Sequence, residues 1–134
     1  MGIRSLDERD ETEVAVGWLG RMFGGGQGIG PREADGLVRA GALLLDVREP
    51  GEWRAGHAPG ARHIPLGELA SRLGGLPRDR RVVVVCRSGG RSARATALLT
   101  RSGYEAVNLN GGMRAWASAG LAVQAGDAQP GTVV

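Results

Sequence analysis

The sequence predicts an α/β domain: a parallel sheet covered by helices on both faces, in three α/β/α layers. Two observations predict it. Leu43-Leu44-Leu45 and Val82-Val83-Val84-Val85 are short runs that are apolar at every position, the pattern of strands buried on both faces. Helical segments alternate with such strands along the chain, the order that builds crossover connections rather than hairpins.

The elements follow in order. Pro31 to Ala40 is predicted as a short helix, with proline in the first turn and Gly41 just past its end. Leu43-Leu44-Leu45 is a buried strand leading to Asp46, and Ala61 to Ile64 a short strand stopped by Pro65. Gly67 to Leu73 reads as helical and breaks at Gly74-Gly75. Val82 to Val85 is the most hydrophobic strand. Ala93 to Ser102 is a helix closed by Gly103, Ala106 to Leu109 a strand, and Gly112 to Ala119 a last helix ended by Gly120. In sheets of this kind ligands sit beyond the carboxyl ends of the strands, and Asp46 and Cys86 both stand at such ends, so a shared crevice is expected.

The flanks differ from this pattern. Residues 1–27 read as an N-terminal extension: an acidic, polar start, then Val14 to Phe23 with Trp18 and Phe23, then Gly24-Gly25-Gly26. Packing on its own domain is favoured for this segment over a docking peptide or an interfacial anchor. The domain itself is placed at 28–123, and 124–134, with Gly126, Pro130 and Gly131, reads as a flexible tail.

Bulk properties bound the function. A chain of 134 residues is one domain by length, and 42% hydrophobic with 23% charged residues is ordinary for a globular protein. Net charge is +3 with a sequence pI near 10.3, but the arginines are scattered and Phe and Tyr occur once each. That is not the basic stripe with stacking aromatics of a nucleic-acid surface. No stretch approaches a membrane span, and the acid-rich start is unlike a secretory signal. One cysteine excludes an intrachain disulfide and a cysteine-cluster metal site, so a reducing, cytoplasmic setting is expected.

That cysteine carries the chemistry. Cys86 stands where the valine run stops, followed by Arg87-Ser88-Gly89-Gly90-Arg91-Ser92 and then a helical pattern. A strand that empties into a Gly-rich, doubly basic turn at a helix N-terminus favours anions, and the same surroundings lower a thiol pKa. A lone Cys after a valine run is otherwise most often a small buried hydrophobe. Two arginines around a glycine pair argue against that plain reading here.

Three separated segments resemble one family. LLLDVREPGEWRAGHAPGARHIP, Leu43 to Pro65, is similar to the first signature of rhodanese domains. VVVVCRSGGRS, Val82 to Ser92, resembles their active-site strand and loop, and NGGMRAWASAGLAV, Asn110 to Val123, their closing segment. The resemblance spans about residues 29–123 and implies a five-stranded parallel sheet with the strands carrying Asp46 and Cys86 as neighbours. It implies sulfur transfer through a Cys86 persulfide, from a donor such as thiosulfate, a polysulfide or a glutathione persulfide to a thiophilic acceptor. The phosphatases of this fold need Cys-x5-Arg. Here Arg91 gives Cys-x4-Arg and Ser92 stands at the phosphatase position, so phosphatase and arsenate-reductase chemistry rank low.

Under that resemblance each residue has a role to set against a plainer one. Amides of Arg87 to Ser92 would face the persulfide anion. Arg91 and Arg87 would hold the donor oxyanion, the plainer reading of Arg87 being a solvated rim residue. Gly89 and Gly90 permit the tight cradle, and Ser88 and Ser92 could donate to sulfur, Ser92 being also a candidate helix cap. Asp46 and Arg48 are expected to organise the loop through an ion pair rather than to act as acid and base. His57 and His63 are read as packing and hydrogen-bonding residues, and Trp116 with Met113 as core. No metal or cofactor is implied. Expected partners are small sulfur-containing anions and thiol acceptors, with a protein sulfur donor or acceptor also open. The rival reading is a non-enzymatic sulfur-relay or protein-interaction module.

Overall fold

Four parallel strands form the sheet: β1 (Leu43–Asp46), β2 (Arg62–His63), β3 (Val82–Val85) and β4 (Ala106–Asn108), in the order β2-β1-β3-β4. The structure is a computed structural model and describes residues 28–126 and 129–134. The N-terminal extension, 1–27, lies outside the described residues. Helices α1 (Pro31–Arg39), α2 (Pro50–Ala55), α3 (Leu66–Arg72), α4 (Gly90–Arg101) and α5 (Gly112–Ser118) connect or follow the strands.

The all-apolar strands are explained by two cores, one on each face. Leu43, Leu45, Val82 and Val84 pack with Leu69 of α3 and with Ala95 and Leu99 of α4. Leu44, Val83 and Val85 face the other way, against Ala34 of α1 and Met113 and Trp116 of α5. All four β3 valines are fully buried. At roughly 1.5–3 kcal/mol for each buried side chain, β3 is the main apolar contributor to the sheet. Alternation is absent because neither face meets water.

Several expectations are corrected. Instead of five strands, the described residues give four plus a single parallel bridge, Ile29 to Leu109, at the β4 edge. Pro31 opens α1 two residues after Ile29, so the pairing does not continue in that direction. Helix α4 starts at Gly90 rather than Ala93, placing Arg91 and Ser92 on its first turn. Gly89, with φ +120°, makes the sharp entry that only glycine adopts without strain.

The segment 124–134, expected to be a flexible tail, carries a short antiparallel pair, β5 (Gln124–Ala125) with β6 (Gln129–Pro130). Gln124 also exchanges both backbone hydrogen bonds with His57, and the Thr132 N–H donates to the Ala55 carbonyl at 2.9 Å. The polar, Gly- and Pro-containing composition masked these long-range main-chain partners.

Candidate functional site

Cys86 directly follows β3 at the carboxyl end of the sheet and is 1% exposed. Its Sγ accepts the Gly89 N–H at 3.1 Å, and the Ser92 hydroxyl lies 3.2 Å away. That hydroxyl is equally 3.2 Å from the Gly89 carbonyl oxygen, and its single proton serves one acceptor at a time. A thiolate is the stronger claimant, because a hydrogen bond to an ionised acceptor is about twice as strong as a neutral one. Burial pushes the thiol up. The Ser92 hydroxyl and the amides of Ser92, Gly89 and Ser88 outweigh it, and the Cys86 pKa is lowered. The N-terminus of α4 points the same way.

The turn is held from behind by α5. The Met113 N–H donates to the Cys86 carbonyl at 2.7 Å and the Arg114 N–H to the Arg87 carbonyl at 3.1 Å. Gly112, at φ +58°, lies so close to the Cys86–Arg87 main chain that a Cβ would collide with it. Asn108, at the end of β4, donates from Nδ2 to the Gly89 carbonyl at 3.3 Å. The Gly-Gly of the closing segment thus brings the α5 amides onto the cysteine turn.

Both arginines of the turn have protein partners. Arg91 is forked onto Glu52 of α2, Nη1 to Oε1 at 2.7 Å and Nη2 to Oε2 at 2.9 Å. The guanidinium holds the Glu52 carboxyl well below the usual range, at about 2, and is itself raised. Cys86 is among the charges that raise it. Arg87 is exposed at the rim, and its Nε donates to a main-chain oxygen of Val134 at 2.8 Å. Ser88 and Gly90 are exposed and Gly89 half-buried.

Asp46 and Arg48 do form a buried pair. Arg48 Nη2 lies 2.8 Å from Asp46 Oδ2, and both side chains are fully buried. Asp46 pairs in register with Val85, one residue before the cysteine, but opens onto no crevice. Nη2 also donates to the Gly56 carbonyl at 2.7 Å. The pair therefore pins the segment that closes α2, and α2 carries Glu52.

Trp53 stacks between His57, at 3.7 Å, and His63, at 4.8 Å. Each imidazole also meets a main-chain carbonyl at 2.7 Å, Trp53 for His57 Nδ1 and Arg48 for His63 Nε2. Among the described residues no group of His, Cys, Asp and Glu could hold a metal ion.

Glu52, Asn108 and Gly112 were missed as site-building residues. Only Glu52 carried a local signal, the Glu49-x-x-Glu52 capping box that starts α2.

A family model, the rhodanese-like domain, matches residues 31–119. The chain belongs to that family. A sulfurtransferase of Allochromatium vinosum is 45% identical over 84 residues, covering 62% of this chain and 78% of that protein. The thiosulfate sulfurtransferase GlpE of Pseudomonas aeruginosa is 36% identical over 93 residues, covering 69% and 84%. Among solved structures, a rhodanese-related protein of Thermoplasma volcanium superposes with a TM-score of 0.68 at 33% identity, over 72% of this chain and 95% of that one. The rhodanese-like fold is thus shown, and the chain is similar to sulfurtransferases. No helix among the described residues is long and apolar enough to cross a membrane.

Proposed function

We propose that this rhodanese-like domain transfers sulfane sulfur through a persulfide on Cys86. The observation that carries the reading is the pair of donors, Gly89 N–H and Ser92 O–H, on a sulfur at the mouth of β3 and the start of α4. The Cys86 thiolate attacks the outer sulfur of thiosulfate. A sulfur–sulfur bond forms on Cys86, the donor's own S–S bond breaks, and sulfite leaves with the bonding pair. The persulfide anion remains, facing the amides that lowered the thiol pKa. An acceptor thiolate then attacks its outer sulfur and regenerates the Cys86 thiolate. No proton transfer is needed at Cys86 in either half, which leaves Asp46 and Arg48 free for a structural role.

Polysulfides and glutathione persulfide suit the same scheme. A single thiol has no resolving partner in the chain, so the sulfur leaves to an external acceptor, in keeping with a reducing, cytoplasmic setting. A second reading, a relay module that accepts sulfur only from a protein partner, draws support from the 1% exposure of Cys86.

Intact-protein mass spectrometry after mixing with each donor tests the proposal. The expected result is one added sulfur on the native chain, removed by cyanide or a thiol and absent from Cys86→Ser. No adduct with thiosulfate, polysulfide or glutathione persulfide would overturn it and favour the relay.

A further inference from the structure

The last described segment, Gln129 to Val134, runs back across the domain as a strap. Its hold is almost entirely main chain. The Gly131 N–H donates to the Val123 carbonyl at 3.0 Å, and the Thr132 N–H to the Ala55 carbonyl at 2.9 Å. Gly131 rests on the Gly56 main chain: a Cβ there would lie 2.7 Å from the Gln124 carbonyl carbon and 2.8 Å from the Gly56 Cα. Only Val133 packs its side chain against the core, while Val134 is 54% exposed. What Val134 supplies is a main-chain oxygen, 2.8 Å from Arg87 Nε.

This contact matters because of what Arg91 is doing. Two of its five N–H groups, one on each terminal nitrogen, are already committed to the Glu52 carboxylate. Arg87 is the other guanidinium of the cysteine turn, and it is turned toward the strap. Resting on the sulfur-transfer reading, we infer that the strap determines donor selectivity by holding Arg87 away from the donor. A doubly charged donor such as thiosulfate must displace the Val134 oxygen to take the Nε edge of that guanidinium. Donors that enter through the sulfur alone are not subject to this competition. Gly131 and Val133 are then positioning residues for Arg87, acting through the strap.

The test separates anion binding from chemistry by using the full chain with Cys86→Ser, which has no thiol to form a persulfide. Thiosulfate is titrated calorimetrically into this protein alone, with Gly131→Ala, with Arg87→Ala, and with both. Gly131→Ala is expected to tighten binding by roughly tenfold, the worth of one charge-assisted hydrogen bond, and Arg87→Ala to cancel that gain. Val133→Ser removes the strap's apolar anchor by a different route and is expected to give the same gain. Unchanged or weaker binding in both strap variants, or a gain that persists without Arg87, overturns the inference. Persulfide formation on the chain with native Cys86 is read separately by mass. Its absence with every donor overturns sulfur transfer and leaves the binding result to stand or fall alone.

Discussion

The Glu52 carboxylate takes both terminal nitrogens of Arg91 at 2.7 and 2.9 Å, so one of the two cations of the cysteine turn is already paired inside the protein. The two residues lie on different helices, α2 and α4, and their pairing links the first signature segment to the cysteine turn. It also gives the cradle a fixed positive charge that cannot swing away.

Replacing Glu52 by Gln is expected to alter the acid limb of stability. The Arg91 hydrogen bonds hold the Glu52 carboxyl at about 2, below its ordinary 4.5. A carboxyl lowered on folding stabilises fully above its unfolded pKa, and that contribution is lost as pH falls toward the folded one. The native chain should therefore lose stability between about pH 4.5 and 2 in a way that Glu52→Gln does not. With the pair partly exposed, the difference at neutral pH is expected to be about 1 kcal/mol. Urea unfolding at several pH values measures it, and parallel curves would exclude the pair as a source of stability.

Ser92→Ala should make Cys86 less acidic. The Ser92 hydroxyl is the largest of the groups that lower the thiol, and removing it leaves burial less opposed. The rate of alkylation by iodoacetamide tracks thiolate content. Its pH profile is expected to move to higher pH in Ser92→Ala, with slower reaction at neutral pH. A profile that coincides with the native one would mean that the amides alone set the thiol.

Gly112→Ala is expected to cost about 3 kcal/mol, because it adds a left-handed backbone penalty to a main-chain collision. The added methyl meets the Cys86 and Arg87 main chain, and Gly112 has φ +58°. Thermal unfolding reads the loss. Persulfide yield should fall with it, since the α5 amides that hold the Cys86 and Arg87 carbonyls must retreat. Native stability in this variant would show that α5 does not brace the turn.

Much of the fold was legible because burial leaves a direct mark on sequence. Four valines in a row have no polar face to present, so β3 could be read as buried on both sides. Pro31 and Gly41 likewise marked the ends of α1 through their own backbone preferences. Helix α2 left a fainter mark. It buries no residue completely, so it has no apolar stripe, and its local signs were Pro50 at the first helical position and the Glu49–Glu52 capping box. The early start of α4 was hidden by Gly89 and Gly90, which read as loop because glycine serves both a turn and a helix entrance.

By itself, then, the sequence determined the α/β class, the strand that ends at Cys86 and the Gly-rich basic turn behind it. These depend on local pattern and on residue types with narrow backbone or chemical preferences. Only the tertiary structure decided which charges meet. Arg91 pairs with a glutamate 39 positions away and Arg87 with a main-chain oxygen 47 positions away. Such partners are chosen by how helices and the strap pack around the sheet, and nothing in the spacing of the residues records that choice. The same holds for Gly112, whose missing side chain matters only because α5 returns to the cysteine turn.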